Sequence, residues 1–250
     1  MALHQHIIDN NTEMKLDIII PIYNEEKSII EVINRLTNLD YTNLVSSYEI
    51  TIVNDCSTDN TALIIDELAK DRDNIKILAH DINKGKGAAV RTGIQNTNGG
   101  LIVIQDADLE LEPSDIIVML EQMKLLNLEF INGSRYMPGI IRPLYSYTRY
   151  FFNKLFTKLT SILINVRITD LACGYKLFSR SIYNQISLNE NRFGFEAELL
   201  IKVVRLKRTL ITEVPVHYFP RNVGDGKKIT NLDGFKIFWT IIKYGLLRLK

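Results

Sequence analysis

The stretch LIVIQDADLELEP, residues 101–113, decides how the rest of the chain is read. Leu101, Ile102, Val103 and Ile104 run into Asp106, Ala107 and Asp108, Glu110 follows, and Pro113, Ser114 and Asp115 open a helix. A short β-branched run between a turn and a helix start reads as a buried parallel strand. In an open α/β sheet, ligands sit beyond the carboxyl ends of such strands. Two carboxylates two residues apart there, with a third nearby, form a hard-oxygen site suited to Mg²⁺ or Mn²⁺. Mg²⁺ shares its shell with water and substrate phosphates, so a diphosphate is its natural companion. A pair of solvated loop carboxylates accounts for the motif equally well, and the surrounding chain has to decide.

Outward from this strand, residues 17–22 (DIIIPI), 48–54 (YEITIVN), 75–79 and 128–132 read as further strands. They alternate with helical spacing over 28–36, 61–70, 83–95 and 113–126. Repeated strand, loop and helix imply a largely parallel sheet wrapped by helices, its loops gathered at one edge. Residues 1–15 are mixed and polar and are expected to be a loose tail. No internal repeat or linker divides 16–250, which is expected to be a single α/β domain of ordinary composition, 46% apolar and 24% charged.

The second half differs. Phe151, Phe152, Leu155, Phe156, Leu159, Ile162, Leu163 and Val166 recur at three- and four-residue steps, interleaved with Arg149, Lys154 and Lys158. Residues 231–247 repeat the theme with Phe235, Phe238, Trp239, Ile242 and Leu246 beside Lys236 and Lys243. These read as amphipathic helices, each either facing a core or lying in a membrane interface. The net charge of +1 conceals +7 over 135–180 and +5 over 220–250. Such a balance suits an anionic partner. Cys56 and Cys173 have no ligand or disulfide spacing, and the four histidines are scattered, so a reducing compartment is expected and a zinc site is not. No apolar run reaches the roughly 18 residues of a spanning helix and the first residues lack an apolar signal region, so neither secretion nor a bilayer span is expected.

The glycine loop KGKGAAVR, 84–91, has G-x-G-x-x-V in place of G-x-G-x-x-G and follows the third strand, which disfavours a dinucleotide-binding dehydrogenase. It can still present backbone N–H groups, and Lys84 or Lys86, to a phosphate, or simply start a helix. Asp55, directly after the second strand, is placed to bind a base or a ribose, or to cap its own turn.

Taken together, Pro21-Ile-Tyr-Asn-Glu25, Val53-Asn-Asp55-Cys-Ser-Thr-Asp59, Lys84-Gly-Lys-Gly87, Gln105-Asp-Ala-Asp108, Gly133-Ser-Arg135-Tyr and Thr169-Asp170 with Cys173-Gly-Tyr-Lys176 resemble a family-2 glycosyltransferase of the Rossmann-like GT-A fold. Within it the chain is most similar to the dolichyl- or polyprenyl-phosphate glycosyltransferases. Phe195-Glu-Ala-Glu198 and Val214-Pro-Val-His-Tyr-Phe-Pro-Arg221 with Gly224-Asp-Gly-Lys227 extend the resemblance. It implies that Pro21, Tyr23, Glu25, Val53 and Asp55 hold the nucleotide. Lys84, Asp106 and Ala107 are assigned to the donor as well, and Asp106, Asp108 and Glu110 to Mg²⁺ or Mn²⁺. It further implies that Arg135 and Arg149 face the phosphates, with Asp108, as the catalytic set, and that Arg221 and Lys227 close over the donor. The implied reaction moves a hexose from UDP-glucose or GDP-mannose to a polyprenyl or dolichyl phosphate with inversion. The implied setting is cytoplasmic and peripheral, on the cytosolic face of a membrane, with no nucleic acid and with room for a membrane-protein partner or a second copy. Two rival readings stand beside it. One is a saccharide acceptor, with Glu196 or Glu198 as the base that a hydroxyl requires. The other is a non-catalytic module that binds nucleotide sugars or polyanions.

Overall fold

The computed structural model describes residues 14–143, 146–206, 210–221 and 231–249, apart from the side chains of 231 and 232. In chain order the elements are β1 (Lys15–Ile22), α1 (Ile29–Thr37), β2 (Ser47–Asn54), α2 (Thr61–Ala69), β3 (Ile75–Ala79), α3 (Lys86–Gln95), β4 (Leu101–Ile104) and α4 (Asp115–Leu126). There follow β5 (Phe130–Ser134), α5 (Tyr147–Ile164), β6 (Lys176–Ser179), the single turn α6 (Arg180–Tyr183), α7 (Phe195–Leu206), β7 (Ile211–Pro215) and α8 (Asn231–Thr240). The strands form one sheet in the order β3-β2-β1-β4-β6-β5-β7.

Strand β1 shows why the sheet is covered on both faces. Side chains alternate across a strand. Leu16, Ile18, Ile20 and Ile22 join the core beneath α1, α2 and α4, whereas Ile19 joins the core built on α3 and α7. The near-continuous apolar run is therefore two alternating faces of a doubly covered parallel strand. β1 pairs in parallel with β2 and β4, bringing Pro21 opposite Val53 and Ile19 opposite Ile104.

Two expectations need correction. Lys15 belongs to β1, where it pairs with Ser47 in register and contacts Glu49, so the expected tail is shorter; residues 1–13 lie outside the described residues. The sheet is mostly parallel, as expected, with β6 alone among the described strands running antiparallel, between β4 and β5. Strands β6 and β7 escape a reading by pattern because one has four residues and the other carries Glu213 and Pro215. The helix expected over 231–247 ends at Thr240 and continues as a π-helical segment, Ile241–Leu246, whose Tyr244 and Gly245 carbonyls accept from Arg205.

Helix α5 does not bury its aromatic stripe. Thr157, Thr160 and Ile164 are buried, while Phe151, Phe152 and Leu155 are about half exposed and Ile162 more so. On α8, Phe235 and Trp239 are likewise exposed, at 71% and 55%. Among the described residues no helix is long and apolar enough to cross a membrane.

Candidate active site

The exits of β1 and β2 are laced together. Asn24 and Cys56 take left-handed backbone conformations. Asn24 Oδ1 accepts from Thr58 N at 2.7 Å, Glu26 accepts from Asn60 N, and the Thr61 hydroxyl accepts from Glu25 N. This holds Pro21 and Tyr23, both partly exposed, at the rim of the cleft. Val53 and Ala107 are buried, so their side chains serve the core and only their main chain can meet a nucleotide.

Asp55 is the anchor of the glycine loop. Its Oδ1 accepts from Lys84 N at 2.8 Å and lies 2.7 Å from His80 Nδ1, while its Oδ2 accepts from Gly85 N at 2.7 Å. Only 3% of the residue is exposed. Asp55 thus shapes the glycine loop at the exit of β2. Gly85 has φ +95°, and a Cβ there would lie 2.5 Å from the Asn191 carbonyl oxygen, so the loop needs glycine on both counts. Of the two loop lysines, Lys84 is exposed and Lys86 reaches Asp106.

Asp106 and Asp108 emerge at the carboxyl end of β4 with a cation on each. Lys86 Nζ lies 2.6 Å from Asp106 Oδ1 and 2.7 Å from Glu196 Oε1. The Arg221 guanidinium makes a two-pronged pair with Glu25 at 2.9 and 3.0 Å and reaches Asp108 Oδ2 at 3.3 Å. Glu110 accepts from Arg221 N at 2.9 Å and donates its own N–H to Asp108 Oδ1. Burial, and then the charges of Asp106 and Glu110, push the Asp108 carboxyl up to about 6. A carboxyl raised by two neighbouring carboxylates, at a hard-oxygen strand exit, fits a divalent cation. No three His, Cys, Asp or Glu groups among the described residues converge on a shared metal position, so the triad Asp106, Asp108 and Glu110 is not preassembled. Gly174, in the segment leading into β6, lies against this site: a Cβ there would be 2.1 Å from Asp106 Oδ2.

Beside the carboxylates a cavity of about 1140 Å³ runs from Glu110 and Arg135, past Tyr136, Arg142 and Arg149, to Phe152, Phe156, Phe235 and Phe238. Arg135 lines it, but its Nε and Nη2 pair with the buried carboxylate of Asp170 at 2.7 and 3.0 Å and Nη2 also donates to the Ala172 carbonyl. That pair fixes its place in the cavity wall. Arg149 lies on the lining, at the start of α5. Lys227 lies outside the described residues. Sequence reading missed Arg142, whose importance comes only from the rings beneath it, and left Lys86 as one of two choices.

The two acids held as candidate bases are occupied. Glu198 is fully buried and accepts from Asn189 N, Glu190 N and Lys202 Nζ. Glu196 is held by Lys86. Both carboxylates therefore have structural partners on the α7 side of the cleft.

A mostly parallel sheet whose strand exits carry laced loops, an acidic pair and a glycine loop has the architecture of the GT-A glycosyltransferases. The fold matches glucosyl-3-phosphoglycerate synthase of Mycobacterium tuberculosis, crystallised with Mn²⁺, UDP and glucosyl-3-phosphoglycerate, with a TM-score of 0.71 over 97% of this chain and 84% of that one, at 17% identity. The profile of glycosyl transferase family 2 matches residues 17–187, and the chain belongs to that family. Similar proteins include dolichyl-phosphate beta-glucosyltransferase ALG5A of Trichomonas vaginalis, 31% identical over 92% of this chain and 73% of that protein. The UDP-N-acetylglucosamine–dolichyl-phosphate N-acetylglucosaminyltransferase of Methanococcus voltae is 30% identical over 90% and 94%. The dolichol-phosphate mannosyltransferase of Pyrococcus furiosus is 30% identical over 86% and 59%.

Proposed function

We propose that this glycosyltransferase moves a hexose from a nucleotide sugar, UDP-glucose or GDP-mannose, to a polyprenyl or dolichyl phosphate, with inversion and with Mg²⁺ or Mn²⁺ on the donor. One observation carries the reading: a single cavity is basic at the end nearest the acidic pair and aromatic at the end between α5 and α8. An acceptor with an anionic head and an apolar tail matches both ends. The relatives named above act, by their names, on dolichyl phosphate.

A phosphate monoester has its second pKa near 6, so its oxygen is already anionic at neutral pH and needs orientation more than deprotonation. The occupied state of Glu196 and Glu198 agrees with a reaction that asks for no carboxylate base and disfavours the saccharide acceptor. Arg149 orients the acceptor phosphate from the cavity wall, and its planar fork suits phosphate oxygens. Glu25, Tyr23 and the main chain of Val53 and Ala107 receive the nucleoside, and the loop held by Asp55 faces its phosphates. Asp106 and Asp108 would hold the divalent ion, which when bound neutralises the leaving diphosphate. Arg221 and Lys86 are the chain's own cations beside it, and Lys227 joins them in the proposal. Attack from the face opposite the leaving group inverts the anomeric carbon.

Exposed Phe151, Phe152, Phe235 and Trp239 at the aromatic end support peripheral seating on a membrane, which in this reading is its cytosolic face. The test is incubation with Mn²⁺, a panel of nucleotide sugars, and either polyprenyl phosphate in vesicles or soluble oligosaccharides. Transfer to the lipid phosphate is expected, and Asp108→Ala should abolish it. Transfer to oligosaccharides alone would reject the acceptor assignment, and nucleotide-sugar binding without transfer would favour the binding module.

A further inference from the structure

Resting on the lipid-phosphate reading, we infer that Arg142 is a further phosphate-binding residue, held out from the cavity wall by the rings of Tyr136 and Tyr218 and selecting acceptors with an anionic head. Its guanidinium carbon lies 4.1 Å from the centroid of Tyr136 and 5.4 Å from that of Tyr218. Its Nη2 also reaches the Tyr136 hydroxyl at 3.3 Å. A guanidinium stacked over aromatic faces keeps its in-plane N–H edge for a planar partner, the geometry in which arginine binds phosphate with two hydrogen bonds.

Three further observations point to an incoming anion. Among the described residues Arg142 has no carboxylate within ion-pair distance, although Arg135 beside it has Asp170. The Arg142 Nε is buried and has no hydrogen-bond partner among the described residues, a cost that an oxyanion removes. Lys154 stands 4.3 Å from the same Tyr136 centroid, and Arg135 5.1 Å from that of Tyr218, so three cations share two rings. Burial lowers the Lys154 ammonium from its usual value, Asp170 opposes that fall and Arg142 deepens it. The surplus of positive charge is thus built in before any acceptor arrives. It lies on the path between the acidic pair and the aromatic end, where the head of an amphiphile seated in the cavity would come to rest.

The roles divide accordingly. Arg135 is a positioning residue locked to Asp170, Tyr136 is the platform, and Arg142 touches the phosphate. The test uses the full chain with Mn²⁺, the nucleotide sugar identified by the donor panel, and farnesyl phosphate as acceptor. Arg142→Met should raise KM for farnesyl phosphate at least about tenfold, the worth of one charge-assisted contact. The same change should leave Kd for the Mn²⁺–nucleoside diphosphate within twofold and flatten the salt dependence of the acceptor KM. Arg142→Lys, which keeps the charge and loses the fork, should fall between, and a melting curve on each variant separates misfolding from lost contact. An acceptor KM unchanged in Arg142→Met, or a donor Kd that weakens in step with it, overturns the inference while leaving the acceptor class intact. No transfer to farnesyl phosphate by the unaltered protein, alongside transfer to an oligosaccharide, overturns the acceptor class itself.

Discussion

Gly174→Ala places one methyl group against the acidic pair and nothing else of consequence. The added Cβ would lie 2.1 Å from Asp106 Oδ2 and 3.0 Å from its carboxyl carbon, with Leu111 next at 3.3 Å. Ordinary contact begins near 3.4 Å, so the carboxylate must retreat by more than an ångström or β6 must shift. Lys86 on the opposite oxygen and the Lys86–Glu196 pair behind it restrict that retreat. Misplacing a binding group by about 1 Å costs on the order of 10²-fold in rate, equivalent to about 2.7 kcal/mol at the transition state. Overpacking costs about 1–3 kcal/mol of stability, enough to lower Tm by several degrees but not to unfold a chain of this size. The assay is steady-state transfer at saturating acceptor with Mn²⁺ varied, beside thermal unfolding. The expected result is a fall in kcat/KM of about 10²-fold, with a rise in the Mn²⁺ needed for half-maximal rate, in a protein that still melts cooperatively. Undiminished turnover in Gly174→Ala would refute the placement of Asp106 at the reacting centre.

Other consequences concern stability and reactivity. Arg135→Met leaves the buried Asp170 carboxylate without its cation and should cost about 3–5 kcal/mol in urea unfolding, whereas Arg135→Met with Asp170→Leu should recover much of that loss. Glu198→Ala strands the Asn189 and Glu190 N–H groups and should cost about 2–3 kcal/mol, with no acidic limb lost from the pH–rate profile; disappearance of that limb would reinstate a carboxylate base. Burial pushes the Cys173 thiol up to about 12, so iodoacetamide at pH 7.5 should label the partly exposed Cys56 in the folded protein and reach Cys173 only after denaturation, read by mass spectrometry.

Much of this molecule is legible in one dimension. The run 101–104 into Asp106 and Asp108 is a strand ending at a ligand edge because a four-residue apolar run cannot satisfy its backbone except in a sheet, and charged residues cannot follow it inward. β1, β2 and β3 and the helices between them lie within one or two residues of where periodicity puts them. The family follows from motifs of local spacing.

What escaped is everything that depends on partners far apart in sequence. That Asp55 accepts from Lys84 N and Gly85 N, and that Arg135 pairs with Asp170, 35 residues away, is visible only in three dimensions. Lys84 and Lys86 are equivalent in composition, yet one turn of backbone at Gly85 sends only the second to Asp106. Helix α5 reads as amphipathic either way round; only packing shows that Thr157 and Thr160 go inward while Phe151 and Phe152 stay out. Sequence by itself determined which residue types stand at the strand exits, because period and propensity are local. Tertiary structure alone decided which charges are already spent on one another, because Coulomb pairing and burial act through space and not along the chain.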